Sequence, residues 1–287
     1  MLKNLGLSTS YFGARGLSIY ESIDRAYKLG FRLIELGANH EFEKNITGIL
    51  QKVCQKFPDV TFTQHCCFPP VLEKEFFSNP AEGLTADNKK VLEAMFTTAK
   101  ILGTKIISFH NGHNSKFIFK GRYKQFSGFK EFVPTEPIPS KQALLGLREF
   151  TYFALKKAEK LGIVVAIENI VGAPSHPATL TGLADFKAFL HEFPSLYFLL
   201  DFGHAFIAYK TPFQFFSLKE RIIEMHLDDV TSDKLDHRVL GSGILNLDDL
   251  FSKIKKLPKM PFLILEHSGE VGEDEILQEV KLVEKHL

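Results

Sequence analysis

The sequence has few cysteines, no tryptophan, no long uninterrupted apolar run and almost no excess of charge. Its three cysteines, Cys54, Cys66 and Cys67, are too few and too poorly spaced for a disulfide framework, which agrees with a reducing compartment. No window approaches the roughly 18 apolar residues that span a bilayer, and the first residues lack the long apolar core of a signal peptide. With 35 Lys+Arg against 34 Asp+Glu, the net charge of +1 gives no global electrostatic case for nucleic-acid binding. We therefore expect a cytoplasmic protein without a membrane partner.

The sequence is built from short apolar runs that alternate with amphipathic stretches. This alternation indicates repeated βα units around a parallel sheet. The apolar runs are Leu5–Ser8, Phe31–Leu36, Val60–Gln64, Lys105–Phe109, Ile163–Ile167, Leu196–Leu200, Ile222–Met225 and Phe262–Leu265. The amphipathic stretches include Ile19–Leu29, Ala86–Leu102, Lys141–Leu161, Leu183–Glu192 and Leu247–Leu257. Eight repeats predict one closed (β/α)8 TIM barrel that spans residues 1–287 as a single domain. A doubly wound open sheet is the alternative, but no GxGxxG follows the first run.

One segment, residues 111–140, breaks this alternation as a long loop after the fourth predicted strand. It has no helical period, and a connection of that length inside a compact domain is usually functional or disordered. Aromatic residues alternate in it with the cations Lys116, Lys120, Arg122, Lys124 and Lys130. Two interpretations are open. The aromatics pack on the barrel, or the segment is a lid whose cations meet a phosphate group.

Acidic and imidazole side chains close six consecutive predicted strands, at the end where a barrel of this kind carries its chemistry. From the third strand to the eighth, the closing residues are His65, His110, Glu168, Asp201, His226 and Glu266. Because Asp and Glu together number 34 and His 11 in the chain, such a series is rare by chance. Glu35 lies within the second predicted strand and is given no role.

These six side chains need a shared partner if they converge. A charged group at the end of a buried strand is costly unless something compensates its charge. A divalent cation does so, and mixed imidazole and carboxylate ligands suit Zn²⁺, Mn²⁺ or Fe²⁺ better than Ca²⁺. The series therefore predicts a metal site. For any one of these residues alone, the alternative is a salt-bridged or hydrogen-bonded structural role.

Two further histidines follow the sixth and seventh predicted strands. His204 comes three residues after Asp201, just beyond the sixth strand, and can point into the same mouth, as a second ligand or as a substrate contact. His237 lies in the loop LDHRVLGSG, where two glycines allow a tight turn, and its alternative role is that of a solvated loop histidine. The nearby carboxylates that are able to orient a ligand histidine are Asp228, Asp229 and Asp236.

Seven segments together resemble the xylose isomerase-like barrel superfamily over nearly the whole chain. They are GFRLIELG, GTKIISFHNG, AIEN, LLDFGHA, MHLDD, DHRVLGSG and LILEHS. That superfamily contains sugar and sugar-phosphate isomerases and epimerases, inosose dehydratases, and the DNA repair enzyme endonuclease IV. The spaced set of Glu, Asp-x-x-His, His and Glu is specific for the superfamily but not for one reaction.

For a sugar isomerase or epimerase, the resemblance implies one divalent metal, Zn²⁺ or Mn²⁺, held by Glu168, Asp201, His226 and Glu266. The metal would hold a carbonyl and a neighbouring hydroxyl of an open-chain sugar or sugar phosphate. Glu168 and Glu266 would be the catalytic residues and would exchange the proton on the carbon between, through an enediolate. His204 would orient a substrate hydroxyl. This is the function that the sequence favours.

Endonuclease IV is the alternative, with three zinc ions and cleavage of DNA at abasic sites. Its additional ligand positions are matched by His65, His110, His204 and His237. The aspartate expected two residues before His237 is replaced by Leu235, and the nearest acid, Asp236, is shifted by one. The segment after the fifth strand reads ENIVGAP where the repair enzymes have ENTAGQG. These departures favour the sugar reaction and one metal over three.

A third hypothesis, from a different class, is a barrel that has lost catalysis and binds a small ligand. Retention of every core ligand argues against it, because buried carboxylates without a metal or substrate are costly. The expected partner is thus a small-molecule sugar or sugar phosphate, and DNA belongs only to the endonuclease alternative. The sequence does not predict the oligomeric state.

Overall fold

Eight parallel strands close into a barrel with helices between them, which confirms the predicted (β/α)8 fold. The computed structural model describes residues 1–71, 76–122, 128–209 and 211–287. The strands are β1 (Leu5–Ser8), β2 (Leu33–Leu36), β3 (Thr61–His65), β4 (Ile106–His110), β5 (Ser115–Arg122), β6 (Lys130–Pro137), β7 (Val164–Glu168), β8 (Leu196–Asp201), β9 (Ile222–Leu227) and β10 (Phe262–Leu265). The order around the barrel is β1, β10, β9, β8, β7, β4, β3 and β2.

The five predicted amphipathic stretches form helices, and the described residues contain four further α-helices. They are α1 (Ser10–Ala14), α2 (Ile19–Lys28), α3 (Ile46–Lys56), α4 (Ala86–Leu102), α5 (Ser140–Glu159), α6 (Leu183–Glu192), α7 (Phe202–Ala208), α8 (Leu247–Ile254) and α9 (Glu273–His286). Helix α4 shows why such a stretch begins and ends where it does. The Thr85 side chain accepts a hydrogen bond from the Asn88 N–H at its start, and Gly103 ends it with a left-handed φ of 64°.

Apolar packing between the strands and the surrounding helices forms the main core. On β4, Phe109 packs against Phe150 of α5 with ring centroids 5.0 Å apart, and on β8 Phe198 packs against Phe186 of α6 at 5.1 Å. Strand residues on the opposite face point inward, because side chains alternate along a strand. A small apolar cluster of this kind consists of Ile106, Ala166 and Leu199. Apolar side chains thus fill both faces of these strands below the point where they end.

The segment after β4 contains a β-hairpin made of β5 and β6, which pair antiparallel. Phe117 of β5 and Phe132 of β6 both pack on Phe77, with ring centroids 4.7 and 5.4 Å away. The sequence between residues 111 and 140 has no helical period because part of it forms this hairpin. Hydrogen bonds between its two strands and these ring contacts hold the hairpin together. In the part of the chain that the structure describes, no helix is long and apolar enough to cross a membrane.

The barrel wall leaves no room beside Gly6 in β1. A Cβ atom at this position would lie 2.7 Å from Leu33 Cγ and 2.8 Å from Ile264 Cδ1. We expect Gly6→Ala to lower the free energy of unfolding by about 1–3 kcal/mol through overpacking, measured by urea denaturation. Gly182→Ala is the matched control, since nothing lies within 4 Å of a Cβ there. Equal stability of the two variants would contradict this account of the wall.

Candidate metal centre

The carboxyl ends of the barrel strands bring together the side chains that the sequence marks. The last residues of β3, β4, β7 and β8 are His65, His110, Glu168 and Asp201. His226 is the second-last residue of β9, and Glu266 directly follows β10. All six side chains meet inside one end of the barrel, where they belong to four overlapping sets of three residues whose ligand atoms lie within 4.8 Å of one another.

The first set, the outer group, consists of His65, His110 and Glu168. The Nε2 atoms of the two imidazoles are 3.1 Å apart. Glu168 Oε2 lies 3.2 Å from His65 Nε2 and 3.4 Å from His110 Nε2. His65 is held from behind by Ser108 Oγ, 2.9 Å from its Nδ1 atom. The two imidazoles therefore present Nε2 to the same carboxylate oxygen.

The central group consists of Asp201, His226 and Glu266, with Glu168 beside it. His226 Nδ1 lies 2.8 Å from Glu266 Oε2 and 3.7 Å from both Asp201 Oδ2 and Glu168 Oε1. One imidazole nitrogen is thus surrounded by three carboxylates on three other strand ends. These are the four residues that the sequence resemblance assigns to a metal.

The loop group consists of His204, Asp236 and His237. Asp236 places one carboxylate oxygen 3.6 Å from His204 Nε2 and the other 3.9 Å from His237 Nε2. The other ring nitrogen of His204, Nδ1, lies 3.2 Å from Glu168 Oε1 and 3.4 Å from Asp201 Oδ2. Asp236, which is shifted by one in sequence, therefore still faces both histidines. His237 has a left-handed φ of 55°, which turns the chain at this point.

The donor set fits a divalent cation. Glu168 and Asp201 are 1% and 0% exposed. Both oxygens of Glu168, Oδ2 of Asp201 and Nδ1 of His226 are buried and have no well-directed hydrogen bond to the residues described. Buried carboxylates in this state are costly, and a cation compensates them. Imidazole nitrogen with carboxylate oxygen is a ligand set for Zn²⁺ or Mn²⁺.

The pKa values show how the protein itself compensates these charges. Burial opposes a proton on His226, but the carboxylates of Glu35 and Glu266 outweigh it and hold the pKa of this imidazole well above its usual range. Burial opposes ionisation of Glu266, yet the facing His226 holds the pKa of that carboxyl well below its usual range. On His110, burial and the neighbouring His65 together lower the pKa of the imidazole well below its usual range. A metal ligand must be deprotonated, so metal uptake at His226 is expected to release a proton.

Glu35 on β2 is a buried residue of the centre for which the sequence alone predicts no role. Its Oε2 atom lies 3.0 Å from His226 Nε2, on the side of the ring opposite to the central group. A carboxylate behind a ligand histidine fixes the ring and its tautomer. An acidic residue inside an otherwise apolar strand, in FRLIELG, is the signal that identifies it.

Two carboxylates after β9 hold the loop that carries His237. Asp229 accepts hydrogen bonds from the backbone N–H groups of Gly241 and Gly243 at 2.8 and 3.0 Å. Asp228 Oδ2 accepts the His237 N–H at 2.5 Å. Asp228 and Asp229 thus position the backbone of the loop, whereas Asp236 faces the imidazoles.

A cavity of about 260 Å³ opens onto the centre. The residues of the centre that line it are His65, His110, His204, His237 and Glu266. The apolar residues of its walls include Val71, Phe76, Phe77, Phe129 and Phe132. The hairpin forms part of this apolar wall, and Phe129 stacks at a tilt on His237, with centroids 5.4 Å apart.

Three of the four cations that the sequence offers as a substrate lid form ion pairs with carboxylates of the protein. Lys116 Nζ lies 2.7 Å from Glu136, Lys120 Nζ lies 3.1 Å from Glu131, and Arg122 pairs with Glu41. A separate cation of the segment, Lys130, lines the cavity and donates from Nζ to the His40 carbonyl at 2.7 Å. Lys124 lies outside the described residues, and a lid role for these four cations stays a prediction.

Residues 23–286 match the sequence family described as the xylose isomerase-like TIM barrel. The chain belongs to this family. The match confirms the superfamily that the sequence motifs indicate, and it covers every residue of the three groups. Among curated proteins of similar sequence, the uncharacterized protein MJ1614 of Methanocaldococcus jannaschii is 21% identical over 265 residues, which cover 92% of this chain and 93% of that protein.

Solved structures share the family fold over the full length of the chain. The D-psicose 3-epimerase of Clostridium cellulolyticum H10 has a TM-score of 0.72 at 12% identity and covers 99% of both chains. A D-tagatose 3-epimerase-like protein has a TM-score of 0.70 at 16% identity, covering 98% of this chain and 96% of that one. The probable 3-DHS dehydratase AsbF of Bacillus anthracis has a TM-score of 0.64 at 19% identity and covers 98% of both chains.

Removing the charge of Glu35 tests its role behind His226. We expect Glu35→Gln to weaken zinc or manganese binding by about 10- to 100-fold, measured by competition with a chromophoric chelator, because the ring loses its anionic partner. Glu279→Gln is the matched control, since Glu279 is also buried but bonds His267 Nε2 at 2.7 Å. Equal metal affinities of the two variants would contradict the role of Glu35.

His40 in the cavity wall makes stability depend on pH. It is buried with Nε2 3.0 Å from Thr9 Oγ1, and burial together with the charge of Lys130 lowers the pKa of its imidazole from 6.5 to about 3. Below pH 6.5 the unfolded chain takes up a proton that the folded chain refuses. His40 therefore lowers the free energy of unfolding as the pH falls from 6.5 toward 3, by at most about 1.4 kcal/mol per pH unit.

The variant His40→Gln has no imidazole at this position, so its unfolded chain no longer takes up this proton. We expect its unfolding free energy, measured by denaturant titration between pH 7 and pH 5, to fall less steeply than that of the parent chain. The exposed His191 supplies the control, and His191→Gln is expected to keep the parent slope. A parent-like slope in His40→Gln would show that His40 takes up its proton in the folded state.

Proposed function

We propose that this chain is a divalent-metal-dependent isomerase or epimerase of a sugar or sugar phosphate. The observation that carries the proposal is the central group, in which one imidazole nitrogen of His226 lies within 4 Å of Glu168, Asp201 and Glu266. The similar solved structures include an L-ribulose 3-epimerase and a D-psicose 3-epimerase, and this supports the choice of substrate class.

Glu168, Asp201, His226 and Glu266 would hold the metal. A divalent ion bound there would supply Lewis acidity and so make the carbon next to a substrate carbonyl more acidic. A glutamate carboxyl is ionised near neutral pH, which is the form that a general base requires of Glu266. Glu266 also lines the cavity and can reach a substrate there.

Epimerisation requires two carboxylates, one on each face of the substrate carbon. One carboxylate takes the proton from the carbon beside the carbonyl, and the other returns a proton to the opposite face. If the same proton returns instead to the former carbonyl carbon, the product is the isomeric sugar. Glu168 and Glu266 stand at the ends of β7 and β10 with His226 between them, and we assign them these roles.

The rest of the substrate would contact the cavity wall. His204 lines the cavity beside Glu168, and we assign it the role of bonding a substrate hydroxyl. The part of the substrate far from the carbonyl would meet the apolar wall that includes Phe129 and Phe132. A phosphate group at that end would meet the charge of Lys130.

Replacing the proposed base tests this reaction. We expect Glu168→Gln to slow exchange of the proton beside the carbonyl by about 10²- to 10⁴-fold, because an amide cannot accept that proton. The measurement is deuterium incorporation by NMR in D₂O, with a panel of ketoses and ketose phosphates and added Mn²⁺ or Zn²⁺. The exposed Glu159 supplies the matched control, Glu159→Gln. Undiminished exchange by Glu168→Gln would refute the assignment of the base.

A second candidate function is an endonuclease IV-like, zinc-dependent hydrolase that acts at abasic sites in DNA. The loop group favours it, because Asp236 lies between His204 and His237 although it is shifted by one in sequence. Three groups of ligands would hold three zinc ions. An oligonucleotide duplex with one abasic site is the test substrate, and cleavage of it without turnover of any ketose would replace the first proposal.

A further inference from the structure

Two consecutive cysteines follow His65 at the end of β3, and the proposed reaction uses neither of them. Cys66 and Cys67 both line the cavity. Their sulfur atoms are in direct contact, with the Cys66 thiol directed at Cys67 Sγ over 3.4 Å. Both cysteines are free thiols. The wall of the cavity therefore contains a dithiol beside the candidate metal centre.

The third cysteine is engaged elsewhere. Cys54 lies on α3 and its thiol bonds the Ile101 carbonyl at 3.3 Å. The turn with the dithiol is attached to the barrel, since the Cys66 N–H bonds the Ser108 carbonyl and the Phe68 N–H bonds the His65 carbonyl, both at 3.0 Å. Backbone contacts thus hold both sulfur atoms at the cavity.

We propose that Cys66 and Cys67 form a redox-active dithiol, which a hydroperoxide that enters the cavity oxidises to a disulfide. The sulfur atoms need to approach from contact to about 2.05 Å, the length of a disulfide bond. This site is independent of the proposed sugar reaction, because it requires only the cavity and the two thiols. Thiol reductants would reverse the oxidation.

The chemistry balances in two steps. One sulfur attacks a peroxide oxygen, the O–O bond breaks, and a sulfenic acid forms while the second oxygen leaves as water or alcohol. The neighbouring sulfur then attacks the sulfenic sulfur and expels water, which carries away the second thiol proton. The two thiols lose two electrons and two protons, and the peroxide takes them up. The adjacent sulfur captures the sulfenic acid before further oxygen is added.

Oxidation of the native protein, followed by alkylation, tests the proposal. The purified chain is treated with one equivalent of hydrogen peroxide, denatured in the presence of iodoacetamide and cleaved with trypsin. Cleavage after Lys56 and Lys74 yields a peptide, residues 57–74, that contains Cys66 and Cys67 but not Cys54. Without peroxide we expect both of its cysteines to be alkylated. After peroxide we expect neither to be alkylated and the peptide to be about 2 Da lighter than its dithiol form.

Reduction with dithiothreitol before denaturation should restore both alkylation sites. The control Cys54→Ser should behave like the parent, whereas Cys66→Ser should leave Cys67 to gain oxygen instead of forming a disulfide. The proposal is overturned if both cysteines of the peroxide-treated parent remain alkylatable, if they gain oxygen atoms separately, or if the chains become cross-linked in pairs. The alkylation pattern of the parent decides the question even where a variant fails to fold.

Discussion

Burial of several carboxylates at one end of a closed barrel is the constraint on which this structure depends. Glu35, Glu168 and Asp201 are almost completely shielded from solvent. Like charges so close together are unfavourable in a medium of low dielectric unless positive charge lies among them. Histidines on neighbouring strand ends supply part of that charge, and His226 contacts carboxylates through both ring nitrogens. The centre is therefore a cluster of groups that could hold a divalent ion in place of protons.

Hydrogen bonds to the backbone and apolar packing hold the segments that surround the centre. Asp229 binds the N–H groups of the loop after β9, and this fixes the turn that presents Asp236 and His237 to His204. On the other side, the hairpin packs on Phe77 and adds an apolar wall to the cavity. The ring of strands thus carries the central group, while a loop supplies Asp236 and His237, as expected for this barrel type.

Much of the fold follows from the sequence, because a strand buried on both faces and an amphipathic helix have distinct periods. The predicted runs Leu5–Ser8 and Phe262–Leu265 coincide with β1 and β10. The residues that close the strands were recognisable for the same reason, since a His or an acid after an apolar run is conspicuous. The hairpin was missed because its exposed strands alternate irregularly, with register shifts at Phe117 and Gly121.

Sequence spacing was less informative for the candidate site. Glu35 contacts His226 across the barrel, 191 positions away in sequence, and no local pattern indicates such a pair. Asp236 appeared displaced by one residue, yet the turn at His237 brings its carboxylate between two imidazoles. Three cations of residues 111–140 pair with glutamates, two of which lie on the neighbouring strand β6, while the third, Glu41, lies 81 positions from Arg122. Contacts of this kind depend on the folded chain.

Elemental mass spectrometry of the purified chain tests the central claim most directly. The protein is purified without chelator, exchanged into metal-free buffer, and analysed for zinc, manganese and iron per chain. Our account predicts at least one tightly held divalent ion. One ion agrees with occupancy of the central group, and three agree with occupancy of all three groups. A chain that retains no ion, and takes up none when zinc or manganese is added, would contradict the assignment of this cluster as a metal centre.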